Sequence, residues 1–338
     1  MSDPSLLSRF QGCLMGVRLG DAMGMPWETM SRKQIQRFTN GDGVTGFCSP
    51  QQYSSLETIR LTAGDTTDDW QLTEAVAESL IRTQRFDVED MAHAHVNAYN
   101  QSTSGWGKTT RNAMEEFKQW FETDGQRGRA PHEPADNFSR GNGIAMKIAP
   151  LALFHLGRAQ RFLDKEVCTL GCMTHGDSLA WITALALARI IHGMSWHGEC
   201  DLVRLSAQIR QTEHIYLGNR FVKDVFSSRL SDLSRASLKN AVIDDVILVT
   251  GSGFDAVESV SLAIACATRH LDDSRAGLLE AVNCGGDTDT NAAMTGAILG
   301  AHNGIEAWPQ EWCHFRPEYA TTLDLGKRLL YAAQSASR

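Results

Sequence analysis

The sequence predicts an all-α fold, with many helices packed as a compact single domain over residues 1–338. Three observations lead there. Apolar residues recur at three- and four-residue intervals in long segments. Runs that alternate apolar and polar residues are scarce. The stretches between the helical segments are rich in Gly, and Pro numbers only eight in the chain. Residues 70–83, WQLTEAVAESLIRT, carry a clear helical period, and the same period runs through 108–121, 177–193, 202–212, 255–267 and 322–334. DDVILVT at 244–250 is the best candidate for a strand, and it is short. Gly-rich connections occupy 39–48, 102–107, 123–142 and 250–254. Residues 123–138 form the one plausible linker. They read better as a surface loop, because GNG follows at once and leads into another apolar helix. No repeat of fixed period and no low-complexity tract interrupts this plan.

Composition narrows the function. With 42% hydrophobic and 21% charged residues the chain can bury a sizeable core. A net charge of −8, without Lys/Arg runs, argues against a nucleic-acid partner. MSDPSLLSRF has no basic region followed by an apolar one, so no signal peptide is expected. Apolar runs near 177–194 and 254–268 are broken by charged residues or His, so no membrane partner is expected either. The eight cysteines form no paired CxxC modules, which argues against a zinc ribbon. They read as reduced core residues of a cytoplasmic protein.

Two short segments carry the chemistry. GDTTDDW at 64–70 and GGDTDT at 285–290 each crowd Asp and Thr beside Gly, just ahead of a helical segment. One Asp there would serve as an N-cap, favoured by the helix dipole. Asp68 and Asp69 together with Thr67, and Asp287 with Asp289, exceed what capping needs. Ala292, Ala293, Gly296, Ala297 and Gly300 would let the second helix pack closely on a neighbour. If the two helix N-termini converge, divalent cations would keep the carboxylates ionised, and all-oxygen ligation suits Mg²⁺ or Mn²⁺. Independent caps and turns are the competing reading, and both stand on these residues alone.

Five motifs in order resemble the ADP-ribosylglycohydrolase family. They are GCLMGVRLGDAMGMPWE at 12–28, with its Gly-Asp-Ala turn and downstream Glu, TDD at 67–69, SRGNGIAMKIAPLAL at 139–153, THGD at 174–177 and GGDTDTNAAMTGAILGA at 285–301. The resemblance covers nearly the whole chain and implies a binuclear Mg²⁺ or Mn²⁺ centre. Its ligands would be Thr67, Asp68, Asp69, Asp287, Asp289 and Thr290, with Thr288 pointing away. It places Glu28 beside the metals. Glu28, Asp68 and Asp289 are thereby the catalytic candidates, with Glu28 or Asp68 as general base. Trp70 stands where many relatives have a hydroxyl residue, which predicts an altered pocket wall.

Substrate contacts are implied for Ser139, Gly141, Asn142 and Gly143 at a diphosphate, for Trp106 or Gly107, and for His175. Phe254 would stack on adenine or else belong to the core, and Asp177 would cap a helix. The reaction implied is hydrolysis at the anomeric carbon of the distal ribose of an ADP-ribosylated protein, with ADP-ribose as product. Arginine-linked ADP-ribose is the expected substrate, because the resemblance is to proteins that often reverse arginine modification and because an acidic cleft attracts a guanidinium. Serine-linked, polymeric and O-acetyl-ADP-ribose are the alternatives, with leaving-group specificity set by loops 40–62 and 96–107. A protein that blocks a cognate ADP-ribosyltransferase toxin is the reading from another class. The filled ligand positions argue for an active enzyme instead.

Overall fold

A computed structural model of the chain describes residues 3–49, 61–102, 104–218, 226–235 and 238–337. Among them it has sixteen α-helices and no extended strand, only two isolated bridges. In chain order the first eight are α1 (Leu6–Gly24), α2 (Arg32–Phe38), α3 (Asp68–Thr83), α4 (Val88–Gln101), α5 (Lys108–Glu122), α6 (Ala149–Phe154), α7 (Gln160–Cys172) and α8 (Ser178–His197). Then follow α9 (Leu202–Leu217), α10 (Phe226–Arg235), α11 (Ile243–Thr250), α12 (Ala256–Arg269), α13 (Ser274–Asn283), α14 (Thr288–Asn303), α15 (Gln310–Cys313) and α16 (Ala320–Ala336). All six periodic segments are helical, with Asp177 and Asp255 as N-caps, and α8 and α9 run on by a further turn.

Two nearly fully buried helices, α1 and α14, form the spine. They approach so closely because Gly12, Gly16, Gly20 and Gly24 line one face of α1 at four-residue spacing. A Cβ on Gly16 would lie 2.1 Å from the Gly296 carbonyl oxygen, and one on Gly300 would lie 1.9 Å from that of Gly12. The small residues expected to permit close packing do so, and α1 is the neighbour. Helices α3, α8, α12, α13 and α16 surround this pair, and the buried apolar side chains form one contiguous cluster.

Several expectations change. Residues 244–250 are helical, within α11. Their apolar residues run on continuously instead of alternating, and such a run is compatible with either structure. Asp244 and Asp245 fall in the first turn, where the helix dipole favours them. The Gly-Asp-Ala stretch is the last part of α1 and not a turn. Of the presumed loop 96–107, residues up to Gln101 complete α4. In 40–62, residues 50–60 lie outside the described residues.

Residues 123–138 are a surface loop pinned to the body. Arg129 donates to Glu116 and the Met173 carbonyl, and the Ala135 N–H donates to the Cys172 carbonyl. By length and composition α8 would suffice to cross a membrane despite Arg189, but 78% of its apolar window is buried inside the protein. All eight cysteines are free; four are buried and four half-buried.

Candidate metal and substrate site

The packing of α1 on α14 sets the site. Gly24 sits against the Asp289 backbone, where a Cβ would lie 2.4 Å from the Asp289 Cα. The Thr288 hydroxyl donates to the Gly24 carbonyl at 2.7 Å, so Thr288 does point away from the cluster. After α1 the chain makes one short helical turn and reaches Glu28. The Thr29 N–H then donates to the Gly286 carbonyl and the Gly286 N–H to that of Met30, both at 2.8 Å. This clamp carries Glu28 to the second Asp knot. It also holds Thr29, a β-branched residue, at φ 69°, a conformation that stores strain beside the site.

The first knot begins α3, and Thr67 is its N-cap residue. Thr290 Oγ1 donates to Asp69 Oδ2 at 3.2 Å and joins the two knots across 221 residues of sequence. Oxygen atoms of Glu28, Asp287 and Asp289 lie within 4.8 Å of one another. The clustering expected of two converging helix N-termini is therefore present.

Burial and mutual repulsion disturb every carboxyl here. Glu28 is pushed up to about 9, chiefly by the Asp289 charge and then by burial and Asp68. Burial, then Asp289, raises Asp68 to about 7. Asp69 and Asp287 are pushed well above the ordinary carboxylate range, and Asp289 is raised, in each case first by burial. Behind them lies Lys147, fully buried, its Nζ without a hydrogen-bond partner among the described residues. Burial lowers its pKa to about 8, while Asp68 pulls it back up.

A cleft of about 290 Å³ opens over the cluster. It is lined by Glu28, Asp68, Asp69, Asp287, Asp289 and Thr290, and also by Gly107, Ser139, Gly141, Asn142, Gly143, His175 and Phe254. Phe254 is 50% exposed at its edge and not a core residue. His175 is buried and its Nδ1 shares a hydrogen with Thr174 Oγ1 at 2.8 Å. Burial, then Lys147, lowers its pKa to about 3, so the ring is neutral at physiological pH. Asp177 caps α8 through the Leu179 N–H.

Three expected residues are placed differently. Trp106 is turned away: its Nε1 donates to Gln71 Oε1 at 2.8 Å and its ring packs on Tyr99. Asn142 reaches the cleft with its donors already committed. Nδ2 gives one hydrogen to Asp287 Oδ2 at 2.6 Å and one to Ser259 Oγ at 2.9 Å, and the backbone N–H goes to the Phe254 carbonyl. Trp70 does not alter the pocket wall. It is buried behind the cluster, with the Arg18 guanidinium 4.8 Å from its ring.

Sequence reading assigned no role to Asp21 or Lys147. Each is a lone charge inside an apolar helical stretch, and that was the available signal. It also passed over Ser259 and Asn291, which continue the hydrogen-bond chain from Asn142, and the cleft-lining Thr110 in the first turn of α5, while Lys108 lies within GWGKT at 105–109, a segment that resembles a cleft-lining one. Gly105 lines the cleft with φ 82°, and a Cβ there would meet the Thr67 side chain at 2.6 Å.

The residues fit hard divalent cations. Their donors are all oxygens. Asp69 Oδ1 is buried and has no hydrogen-bond partner among the described residues, as a ligand atom turned toward a cation would be.

Comparison with known proteins agrees. A family model described as ADP-ribosylglycohydrolase matches residues 2–338. ADP-ribosylhydrolase ARH3 of Danio rerio is 30% identical over 342 aligned positions, covering 91% of this chain and 86% of that protein. The protein of the same name from Bos taurus is 28% identical, covering 90% and 88%. A solved structure described as an ADP-ribosylglycohydrolase-related protein complex superposes with a TM-score of 0.70, at 23% identity, over 97% of this chain and 99% of that one. It supports the fold alone.

Proposed function

The chain belongs to the ADP-ribosylglycohydrolase family and is a glycosidic-bond hydrolase of ADP-ribosylated substrates, and we propose that it breaks an oxygen-linked bond at the anomeric carbon of the distal ribose, with two Mg²⁺ or Mn²⁺ ions. The observation that carries this reading is the convergence of both Asp knots, Glu28, the 139–143 loop, His175 and Phe254 on one cleft. Thr67, Asp68, Asp69, Asp287, Asp289 and Thr290 would hold the ions, which supply Lewis-acid polarisation and charge neutralisation when bound.

Glu28 handles the proton in this reading. It is the carboxyl of the cluster that is not wholly buried, and a leaving alkoxide must be protonated as it departs. Neutral His175 accepts or donates hydrogen bonds without changing charge. Ser139, Gly141 and Gly143, with Lys108 at the rim, face the diphosphate, and Phe254 offers its exposed ring to the adenine. A bare backbone suits that contact: a Cβ on Gly143 would already crowd His175 Cε1 at 3.0 Å.

The arginine expectation rested on the family resemblance and, physically, on an acidic cleft. With Glu28 holding its proton, the five carboxylates of Asp21, Asp68, Asp69, Asp287 and Asp289 would face two dications and the Lys147 ammonium, so little net charge would be left to select a guanidinium. The experiment is parallel release of ADP-ribose from arginine-modified protein, serine-modified peptide, poly(ADP-ribose) and O-acetyl-ADP-ribose, with Mg²⁺ or Mn²⁺ present. Fastest release from an oxygen-linked substrate is expected. Release from arginine alone would restore the electrostatic argument. No release from any of the four, with metal bound, would favour a binding protein.

A further inference from the structure

Asp21 does not line the cleft, yet it is the most heavily hydrogen-bonded carboxylate near it. Its two oxygens accept the Thr67 N–H at 2.9 and 3.0 Å, the Thr67 Oγ1–H at 2.9 Å and the Trp70 N–H at 2.9 Å. Thr67 is the N-cap residue of α3 but its side chain makes no capping bond. Asp21, reaching over from α1, accepts the Trp70 N–H that such a side chain would normally take. The Thr67 hydroxyl donates to Asp21 Oδ1, and it also lies near enough to Asp289 to lower the pKa of that carboxyl. A hydroxyl has one hydrogen and two lone pairs, so it can donate to only one of them.

We infer that Asp21 is a positioning residue that takes the Thr67 hydroxyl proton and so turns the oxygen lone pairs of Thr67 toward the metal cluster. Had the proton gone to Asp289, a lone pair of Thr67 would face the Asp21 carboxylate and a hydrogen would face the cations, and both contacts are repulsive. Asp21 can hold this polarity because its place is rigid. It lies between Gly20 and Gly24, which press on Ala292 and Asp289 of α14 with no room for a Cβ. Asp21, Thr67 and Asp289 are thus fixed by one helix crossing, and Asp21 prepares the site before any cation arrives.

This inference rests on the metal reading above, and the test separates the two. Mn²⁺ affinity of the metal-stripped full chain is measured by electron paramagnetic resonance for wild type, D21N, T67S, T67V and D21N/T67V. Partners that orient metal ligands are worth about 10–100-fold in affinity. A loss of about that size is expected for D21N and for T67V, with T67S near wild type. Because Asp21 acts through Thr67, the double variant should bind no more weakly than the weaker single one. Wild-type affinity in D21N, or losses that multiply in the double variant, would overturn the inference. Absence of Mn²⁺ binding in the wild type would overturn the metal reading as well. Should D21N fail to fold, the wild type still decides. The Thr67 and Trp70 amide protons should exchange slowly with and without Mg²⁺. Their release on Mg²⁺ binding would show the carboxylate leaving them and would overturn the inference.

Discussion

Asp289 is the charge around which the others are arranged. It contributes to the raised pKa of Asp21, Glu28, Asp68, Asp69 and Asp287, and for Glu28 it is the largest cause. Asp289→Asn removes that charge and keeps the shape. The metal-free variant should therefore melt a few degrees higher than wild type at pH 8.5, since its neighbours are relieved of repulsion. Loss of a metal ligand should at the same time lower turnover by about 10³-fold, corresponding to several kcal/mol of lost transition-state stabilisation. Calorimetry and the ADP-ribose release assay check the two halves. A variant that is less stable without metal and fully active with it would contradict the assignment.

The element that delivers this chemistry is the glycine-faced crossing of α1 and α14. Gly300 and Gly24 sit at opposite ends of it, and the sequence motif alone does not distinguish their roles. An added Cβ at Gly300 meets backbone at 1.9 Å, far from any carboxylate of the cluster. Gly300→Ala should lower stability by about 1–3 kcal/mol, the usual cost of overpacking, and leave the Mn²⁺ affinity of the folded fraction near wild type. An added Cβ at Gly24 meets the Asp289 Cα. Gly24→Ala should move that carboxylate and weaken Mn²⁺ binding by at least about tenfold. Equal effects of the two variants on affinity would show that the crossing transmits strain along its whole length.

For the whole molecule, the buried carboxyls tie stability to pH and to metal. Their folded pKa values, about 7 for Asp68 and about 9 for Glu28, lie above the unfolded values near 4. The stability they contribute is therefore fully present below about pH 4 and is lost as pH rises through 7 to 9. His175 works in the opposite sense: its folded pKa is depressed, so its contribution is lost as pH falls below about 6.5. From about pH 6.5 to 9 the several carboxyls outweigh Lys147, which loses its proton near pH 8 and works against them from there, and the melting temperature of metal-free protein should fall across that window. Mg²⁺ displaces the same protons, so its stabilisation should grow over the same range. A metal-free melting temperature that rises from pH 6.5 to 9 would refute this.

Periodicity and glycine placement determined, from sequence alone, the helical class and the segments that form the main helices, and the two Asp-Thr knots held four of the carboxylates that cluster while leaving independent capping open and Asp21 unseen. These are local properties, set by side-chain spacing and by the residue types that oxygen ligation requires. Tertiary structure alone decided the rest. It made a helix of 244–250 and turned Trp106 and Trp70 away from the cleft. It spent the Asn142 donors on Asp287 and Ser259, and brought Asp21 beneath Thr67 from the far helix. The physical reason is common to all four. A short apolar run, an indole, an amide or a buried carboxylate has several local options of similar free energy, and partners distant in sequence select among them.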